Sequence, residues 1–424
     1  IPKIDLVIVN LYPFESTIND PKCTLELAIE NIDIGGPTMI RAAAKNYKSV
    51  TVLTSPDEYD NFSKELIKNK GQLEESYRFK LAQNAFSHTA HYDKAISNYL
   101  SKNDQQIKFP NNLSQIMNKK MDMRYGENPH QEAAFYTEPQ IQKGALANFK
   151  QIQGKELSFN NLNDSDTAWE CVKLFSDPSC VIVKHANPCG VCSAKTMKDA
   201  YEGAFLTDPT SAFGGIIAIN KEMDTETAKL IMKQFVEVII APGYSKESIK
   251  IFKAKENIRL LQVEINELEN QLDFKKIGGG WLVQSGDNHK LDINKCKVVT
   301  KLKPSAEQLE DLYFSWQVAQ YVKSNAIIFC KGKKTLGVGA GQMSRIDSTR
   351  IAAIKAENAN ISLTNSVVAS DAFFPFRDGI DALASYGAKC VIQPGGSLKD
   401  DEVIKAADEL GLIMLFTGIR HFKH

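Results

Sequence analysis

The chain has 424 residues, of which 43% are hydrophobic and 24% are charged, and its formal net charge is +0. This length suits two or three domains. A neutral chain has no overall field that attracts nucleic acid or a membrane surface, so we expect neither as a partner. No apolar run reaches membrane-spanning length, and eight cysteines are too dilute for a disulfide framework. The composition therefore predicts a reduced, cytoplasmic protein.

The first part of the chain predicts a small α/β region. Residues 4–9 are typical of a core strand, although they open the chain, so we expect the chain to be a fragment. Gly35-Gly36-Pro37 predicts a loop that enters a helix at the proline, and free amides at such a helix start suit a phosphate. Arg41 and Lys45 are four residues apart and would share one face of that helix. An ordinary helix cap is the alternative explanation.

Two polar segments further along the chain lack a clear period. Residues 124–131 are rich in Arg, Tyr, Asn and His, and residues 157–166 resemble them in character. Such segments predict loops that carry a site rather than simple connections. We place a domain boundary before them, in the polar residues 103–118.

Residues 180–183 form an apolar run that predicts a strand buried on both faces. Lys184 and His185 follow it, and Pro188 and Gly190 are then expected to turn the chain. A base and a cation at the end of a strand can act on one reacting group from two sides. The alternative is that Lys184 reaches solvent and His185 is an ordinary loop residue.

The remainder predicts helices alternating with strands, which favours parallel pairing in the C-terminal half. Residues 246–275 are charged and predict one or two surface helices, and residues 301–304 predict a hinge. The polar residues near the strand ends would gather in one cleft. They are Lys184, His185, Asn325, Phe373, Asp378 and Arg420.

Two motifs point to other classes of protein. Gly337, Gly339 and Gly341 resemble a dinucleotide-binding loop, but the third glycine of that fingerprint is absent, since Gln342 follows Gly341. His185 followed by Pro188-Cys189 and Cys192 resembles a zinc deaminase. The spacing is too tight for all three side chains to close around one tetrahedral ion, so we expect no zinc.

Five motifs, in order along the chain, resemble one family, the bifunctional purine-biosynthesis enzymes that join AICAR formyltransferase to IMP cyclohydrolase. They are residues 10–14 (NLYPF), 32–46 (IDIGGPT to RAAAKN), 124–131 (RYGENPHQ), 184–190 (KHANPCG) and 370–378 (SDAFFPFRD). The family's N-terminal signature, with its phosphate loop, is missing here.

The resemblance implies an α/β fold in three parts. A truncated methylglyoxal-synthase-like domain and linker would occupy residues 1–118. Two cytidine-deaminase-like α/β/α subdomains would follow, at residues 119–300 and 301–424. The family works as a homodimer with formyltransferase sites shared between subunits, and this implies the same assembly here.

The resemblance also implies roles for individual residues. AICAR and the co-substrate 10-formyltetrahydrofolate would meet at His185, the general base, and Lys184, which stabilises the oxyanion. The other residues implied at this site are Arg124 and Arg420 for the 5′-phosphate, Asn325 for the carboxamide, Phe373 for stacking, Asp378 and Asn128 for the folate or for loop order, and Tyr125, Gly214, Glu237 and Arg345 as lining residues, with Arg345 on the folate side.

A second set is implied for ring closure to IMP. Tyr12, Asp33 and Lys45 match the family's acid–base residues, with Arg41 nearby. We expect a chain that begins at Ile1 to keep formyl transfer and to lose ring closure. The sequence leaves the identity of any bound monovalent cation open. A zinc hydrolase of the deaminase type and a catalytically silent nucleotide-binding module remain the alternatives.

Overall fold

The computed structural model describes residues 3–102, 109–115, 117–267 and 272–424. The chain divides into two units, Ile1–Asn118 and Lys119–His424. Three parts of the chain on which predictions were made lie outside the described residues. They are Ile1, part of the linker predicted over residues 103–118, and residues 268–271 of the predicted surface helices. The further boundary predicted between residues 300 and 301 stays a prediction.

The first unit packs helices against two short parallel strands, with Leu6 opposite Thr51. Its strands and helices are β1 (Leu6–Ile8), α1 (Phe14–Ile18), α2 (Leu25–Glu30), α3 (Gly35–Lys45), β2 (Thr51–Leu53), α4 (Tyr59–Lys68) and α5 (Glu75–Lys102). The inner face of α3 is buried with Val52 of β2. The predicted strand is present, but Leu6 is 38% and Ile8 is 50% exposed. The prediction that this strand is buried in the core is therefore wrong.

Apart from Asn118, the paired strands β3 (Asn118–Met123) and β4 (Ala133–Thr137) belong to the second unit, and a six-stranded sheet follows them. The strands and helices of that sheet are β5 (Lys150–Gln153), α6 (Phe159–Val172), β6 (Ser179–Lys184), β7 (Asn187–Ser193), α7 (Met197–Thr207), α8 (Pro209–Ala212), β8 (Gly215–Ile219), α9 (Thr225–Ile231), β9 (Val236–Ala241), α10 (Lys246–Phe252) and β10 (Arg259–Gln262). The strand order is β5-β10-β9-β8-β6-β7.

A hairpin of β11 (Leu272–Ile277) and β12 (Gly280–Ser285) precedes a second six-stranded sheet. This sheet and its helices comprise β13 (Lys297–Val298), α11 (Ala306–Ala319), β14 (Ile327–Cys330), β15 (Thr335–Gly339), α12 (Arg345–Asn358), β16 (Val367–Ser370), α13 (Arg377–Ser385), β17 (Cys390–Gln393), α14 (Asp400–Glu409) and β18 (Ile413–Phe416). The order β13-β18-β17-β16-β14-β15 repeats that of the first sheet, strand for strand.

Both sheets are mixed, which corrects the prediction of parallel pairing in the C-terminal half. Strands β16, β17 and β18 are parallel, whereas β14 runs antiparallel to both β15 and β16. A short hairpin joins β14 to β15, and only antiparallel strands can be joined by so short a turn. The first sheet has the same exception, since β6 is antiparallel to β7 and β8.

The two sheets meet at strands β7 and β15. A bridge pairs Cys192 with Lys334, and the Val191 amide donates to the Thr335 hydroxyl at 2.9 Å. One hydrophobic core takes buried residues from both sheets and from α6 and α11. The chain thus has the mixed α/β fold predicted from the sequence, while its likeness to particular fold families stays a prediction.

The prediction of surface helices over residues 246–275 is wrong in its second half. Helix α10 ends at Phe252, and Leu260 and Leu261 lie fully buried in β10. This apolar run is short and has charged residues on both sides, so the sequence pattern favours a surface helix over a buried strand. Strand β11 begins at Leu272, and its alternating charged residues belong to an exposed hairpin.

All eight cysteines are free thiols. Six of them are buried, and all six belong to the second unit: Cys171, Cys180, Cys189, Cys192, Cys330 and Cys390. Burial raises the pKa of each of these thiols. Cys23 and Cys296 are partly exposed.

Helices in the described part of the chain are too short or too polar to cross a membrane.

Candidate functional site

Lys184 and His185 lie at the tip of the hairpin formed by β6 and β7. Residues 180–183 are fully buried, as predicted, and Lys184 is the last residue of β6. Lys184 pairs with Asn187, so His185 and Ala186 form a two-residue turn. Their φ angles are 52° and 54°, as expected for a hairpin turn of the primed type. The turn predicted at Pro188 and Gly190 is wrong, because both residues lie within β7.

A carboxylate that the sequence analysis did not single out holds this turn. Asp164 accepts hydrogen bonds from the backbone amides of His185 at 3.1 Å and Ala186 at 2.8 Å. Burial raises the pKa of Asp164, and the two amide donors oppose that shift. Asp164 belongs to helix α6, so the loop predicted over residues 157–166 is in fact mostly the start of that helix.

The Lys184 ammonium is fixed by backbone carbonyls. Its Nζ donates to the oxygen of Gly214 at 3.0 Å and to that of Phe213 at 3.2 Å. Gly214 has a φ of 67°, and a Cβ there would meet Lys184 Nζ at 3.2 Å. Gly214 is therefore needed both for its backbone conformation and for the close approach of the lysine.

The first turn of α6 connects this region to the predicted residues Glu237 and Tyr125. Asn161 donates to Glu237 Oε2 at 3.3 Å, and the buried Arg259 donates to the same oxygen at 3.0 Å. The Phe159 amide donates to the Tyr125 carbonyl at 3.3 Å. Helix α6 thus holds Asp164, Glu237 and the loop after β3 in one arrangement.

Arg124 and Asn128 belong to that same loop. The Arg124 guanidinium is exposed and lies over the Tyr125 ring, 5.5 Å from its centroid. Asn128 donates from its amide side chain to the Gln131 side chain at 2.8 Å, which closes the loop on itself. Arg124 is therefore free to meet an anion, whereas Asn128 maintains the loop.

In the second sheet, Asn325 and Arg345 form one hydrogen-bonded group. Arg345 donates to Asn325 Oδ1 at 2.8 Å and to the Phe373 carbonyl at 3.1 Å, and it pairs with Asp371 at 3.3 Å. Asn325 in turn donates to the Gln342 carbonyl at 2.8 Å. Arg345 is only 8% exposed. Its guanidinium therefore lies beneath the surface, where it holds the Asn325 side chain and the Phe373 backbone in place.

Antiparallel pairing explains why these residues meet. Asn325 precedes β14, while Phe373 follows β16, and the register places Ile327 of β14 opposite Ser370 of β16. The start of one strand and the end of the other therefore share an edge of the sheet. The sequence reasoning assumed that all the strands ran the same way, whereas Asn325 and Phe373 come together here through an antiparallel pair.

Arg420 and Asp378 are both exposed at this edge. The Arg420 guanidinium lies 4.5 Å from the centroid of the Phe422 ring, and the next residue, His421, donates its amide to the Asp371 carbonyl. Asp378 accepts from the Gly379 amide in the first turn of α13. Arg420 is thus available to a ligand, whereas the Asp378 carboxylate already supports its own helix.

One hydrogen bond joins the two groups of site residues. Asn187, directly after the His185–Ala186 turn, accepts from the Lys323 amide at 2.9 Å. Lys323 is two residues before Asn325. The hairpin tip of the first sheet is therefore fastened to the segment that leads into β14.

In the first unit, the Asp33 carboxylate occupies the start of α3. Asp33 accepts from the Gly36 amide at 2.7 Å and from the Tyr12 amide at 3.4 Å. The helix cap considered as the alternative is thus present, and it takes an amide that was predicted to bind phosphate. Pro37 is the third helical residue rather than the first, which corrects the predicted helix start.

The other residues predicted for ring closure are exposed. The Tyr12 ring is 56% exposed. Arg41 lies over the Phe86 ring at 5.7 Å, and Lys45 is in the last turn of α3. Arg41 and Lys45 share a helix face, and within this predicted set the Tyr12 amide is hydrogen-bonded to the Asp33 carboxylate.

The cysteines of the deaminase-like motif are poorly suited to zinc. Cys189 and Cys192 are part of an apolar cluster on β7, and burial raises their pKa values to about 12 and about 11. Zinc needs thiolates, which this environment disfavours. Over the described ranges, no three His, Cys, Asp or Glu side chains are placed to hold a metal ion.

A separate cavity of about 390 Å³ lies beside α6 and the paired strands β3 and β4. It is lined mainly by apolar side chains such as Phe135 and Leu146, together with Asp166 and Glu170. Burial raises the pKa of Glu170 to about 7, opposed mainly by Lys173, whose ammonium is 2.8 Å away. None of the predicted catalytic residues lines this cavity.

The fold and the site define a mixed α/β protein with a Lys–His pair presented on a braced hairpin. A model of the family described as "AICARFT/IMPCHase bienzyme" matches residues 43–355, and the chain belongs to this family of purine-biosynthesis enzymes. A solved structure titled "Crystal structure of ForH" is 35% identical, with a TM-score of 0.20. The match covers 24% of this chain and 52% of that one, so the chain spans about half the length of this relative.

Proposed function

We propose that the chain transfers the formyl group of 10-formyltetrahydrofolate to the amine of AICAR. The observation that carries the proposal is the hairpin tip, where a lysine with a fixed ammonium adjoins a histidine in a carboxylate-held turn. Membership of the bienzyme family supports this class of reaction. The hydrogen-bonded group of Asn325, Arg345 and Phe373 supports a planar, amide-bearing substrate.

His185 is the proposed general base. The AICAR amine is a weak nucleophile because its lone pair is delocalised into the imidazole ring. The amine nitrogen bonds to the formyl carbon while its proton passes to the imidazole of His185, the type of side chain that most often serves as a general base. The bond from the formyl carbon to the folate nitrogen then breaks, and that nitrogen takes up a proton. The products are formyl-AICAR and tetrahydrofolate.

Lys184 is the proposed oxyanion stabiliser. Negative charge develops on the formyl oxygen in the tetrahedral intermediate, and a nearby ammonium stabilises it most in the transition state. The carbonyls of Phe213 and Gly214 hold the ammonium without neutralising it. Lys184 therefore needs little rearrangement when the charge forms.

Substrate binding is proposed to rest on the exposed arginines. Arg124 and Arg420 each present a guanidinium that can grip two oxygens of the 5′-phosphate. The Asn325 side chain would pair with the carboxamide, and the partly exposed Phe373 ring would stack on a heterocycle. The buried Arg345 acts here by orienting Asn325 rather than by touching the folate.

The test is the fate of AICAR and 10-formyltetrahydrofolate incubated with the purified chain. We expect tetrahydrofolate and formyl-AICAR to appear in equal amounts, measured by absorbance and chromatography, and neither to form without AICAR. Binding of AICAR without turnover would favour the silent nucleotide-binding module. Release of ammonia from a nucleoside by zinc-containing protein would favour the deaminase.

Ring closure to IMP remains a separate proposal for this family member. The same assay reports on it, since IMP and formyl-AICAR separate on the column. Closure requires Asp33 to serve as an acid or base although it already accepts two amide hydrogen bonds. Where IMP does form in this assay, Asp33→Asn should lower its amount while formyl transfer is unchanged.

We also propose a homodimer whose formyltransferase site takes residues from both subunits, as the family resemblance implies. Mixing a Lys184→Ala chain with an Arg124→Ala chain tests this arrangement. Partial recovery of formyl transfer, up to about a quarter for random mixing, is the expected result. No recovery after subunit exchange has been demonstrated by mass spectrometry would contradict shared sites.

A further inference from the structure

In each of the two sheets of the second unit, a helix aspartate accepts hydrogen bonds from the turn of a hairpin, at equivalent positions. In each sheet, the helix that follows the first strand begins with a serine capping box, formed by Ser158 before α6 and by Ser305 before α11. The sixth residue of each helix is an aspartate, Asp164 in α6 and Asp311 in α11. A hairpin of the same sheet follows that helix directly, β6–β7 after α6 and β14–β15 after α11.

Each aspartate holds the tip of that hairpin. Asp311 accepts from the amides of Gly332 at 2.8 Å and Lys333 at 2.7 Å, as Asp164 does from His185 and Ala186. Gly332 and Lys333 have φ angles of 62° and 50°. Two aspartates in equivalent positions thus make the same paired hydrogen bonds to turns of the same conformation.

The two turns differ in what they carry. In the second half a glycine takes the first position, and Lys333 forms ion pairs with Asp177 and Glu310. In the first half neither residue is glycine, although a positive φ is unfavourable for both His185 and Ala186. The catalytic turn therefore depends more on its aspartate than the other turn does.

We propose that Asp164 is a positioning residue that holds the His185–Ala186 turn in its left-handed conformation and thereby aims the imidazole of His185 at the substrate. The inference rests on the proposed formyl transfer. Asp164 acts through the backbone of its neighbours, since both of its carboxylate oxygens are occupied by the two amides. Without it, the turn is free to relax to negative φ, which would displace both Lys184 and His185.

The test compares Asp164→Ala with the matched control Asp311→Ala. We expect Asp164→Ala to lower kcat for formyl transfer by about 10²-fold, the usual effect of a small misplacement of a catalytic group, with little change in KM for AICAR. Asp311→Ala should leave kcat within about threefold of the parent, although each variant loses two hydrogen bonds from its own turn. Asp164→Asn and Asp311→Asn repeat the comparison if an alanine variant does not fold.

A second substitution distinguishes positioning from any direct role. Adding Ala186→Gly to Asp164→Ala should restore part of kcat, because glycine adopts a positive φ without a Cβ clash. Full activity in Asp164→Ala, an equal loss in Asp311→Ala, or no restoration by glycine would each overturn the proposal.

Hydrogen exchange separates this inference from the proposed function. Measured by NMR, the amides of His185 and Ala186 should exchange faster in Asp164→Ala, and those of Gly332 and Lys333 faster in Asp311→Ala. Absence of formyl transfer in the parent chain would refute the proposed function alone. Unchanged exchange at His185 and Ala186 would refute the role of Asp164 whatever the reaction.

Discussion

Replacing His185 with alanine should lower kcat for formyl transfer by about 10²–10⁴-fold, the usual contribution of a positioned general base. AICAR should still bind, because the proposed phosphate contacts of Arg124 and Arg420 lie on other loops. Steady-state kinetics gives kcat, and calorimetry gives the Kd for AICAR. A variant that keeps most of its turnover would remove His185 from the mechanism.

The control for this prediction must preserve the turn. His185 has a φ of 52°, a conformation that alanine tolerates poorly and asparagine tolerates well. His185→Asn therefore removes the imidazole while favouring the native backbone. Equal losses in the Ala and Asn variants would assign the effect to the missing base, whereas recovery in the Asn variant would assign it to the turn.

Replacing Lys184 with methionine should lower kcat by about 10²–10³-fold, as expected when a donor to a developing oxyanion is lost. KM should change much less, because the ammonium acts mainly in the transition state. Arginine should not restore the rate, since its planar fork differs from the ammonium held at Gly214. Initial rates over a range of both substrates separate kcat from KM.

Lys331 provides the matched control for Lys184. It directly precedes the turn of Gly332 and Lys333, as Lys184 precedes His185, and it is exposed. Lys331→Met should leave formyl transfer unchanged. An effect of Lys184→Met on KM alone would show that this lysine only binds substrate.

The sequence predicts those parts of the fold in which the hydrophobic pattern of a segment matches the burial of that segment in the structure. The apolar residues 180–183 are a buried strand, as expected, because no polar residue interrupts them. The same reasoning misses the buried strand at residues 259–262. Its first residue, Arg259, has a charged side chain that would be expected at the surface but is buried in an ion pair with Glu237. An ion pair between residues 22 positions apart leaves no local signal.

Residue types alone point to the candidate site, but they do not indicate how its parts are held. Lys184 and His185 stand out by chemistry alone. The turn does not, since His-Ala is a rare choice for two positive φ angles and is specified by Asp164, about 20 residues earlier. The signal that could have identified Asp164 is the repetition of a serine cap followed six residues later by aspartate, at Ser158 and again at Ser305.

The distribution of buried and partly exposed thiols makes alkylation a measure of how often the second unit unfolds. The thiolate is the form that alkylating reagents attack, and burial suppresses it at six cysteines of the second unit, Cys180 and Cys330 among them. A mild reagent at neutral pH can modify Cys23 in the native protein, and Cys296 more slowly because partial burial also raises the pKa of that thiol. It reaches the other six only when that unit opens. The rate at which six further adducts accumulate in a mass spectrum then measures how often the unit unfolds.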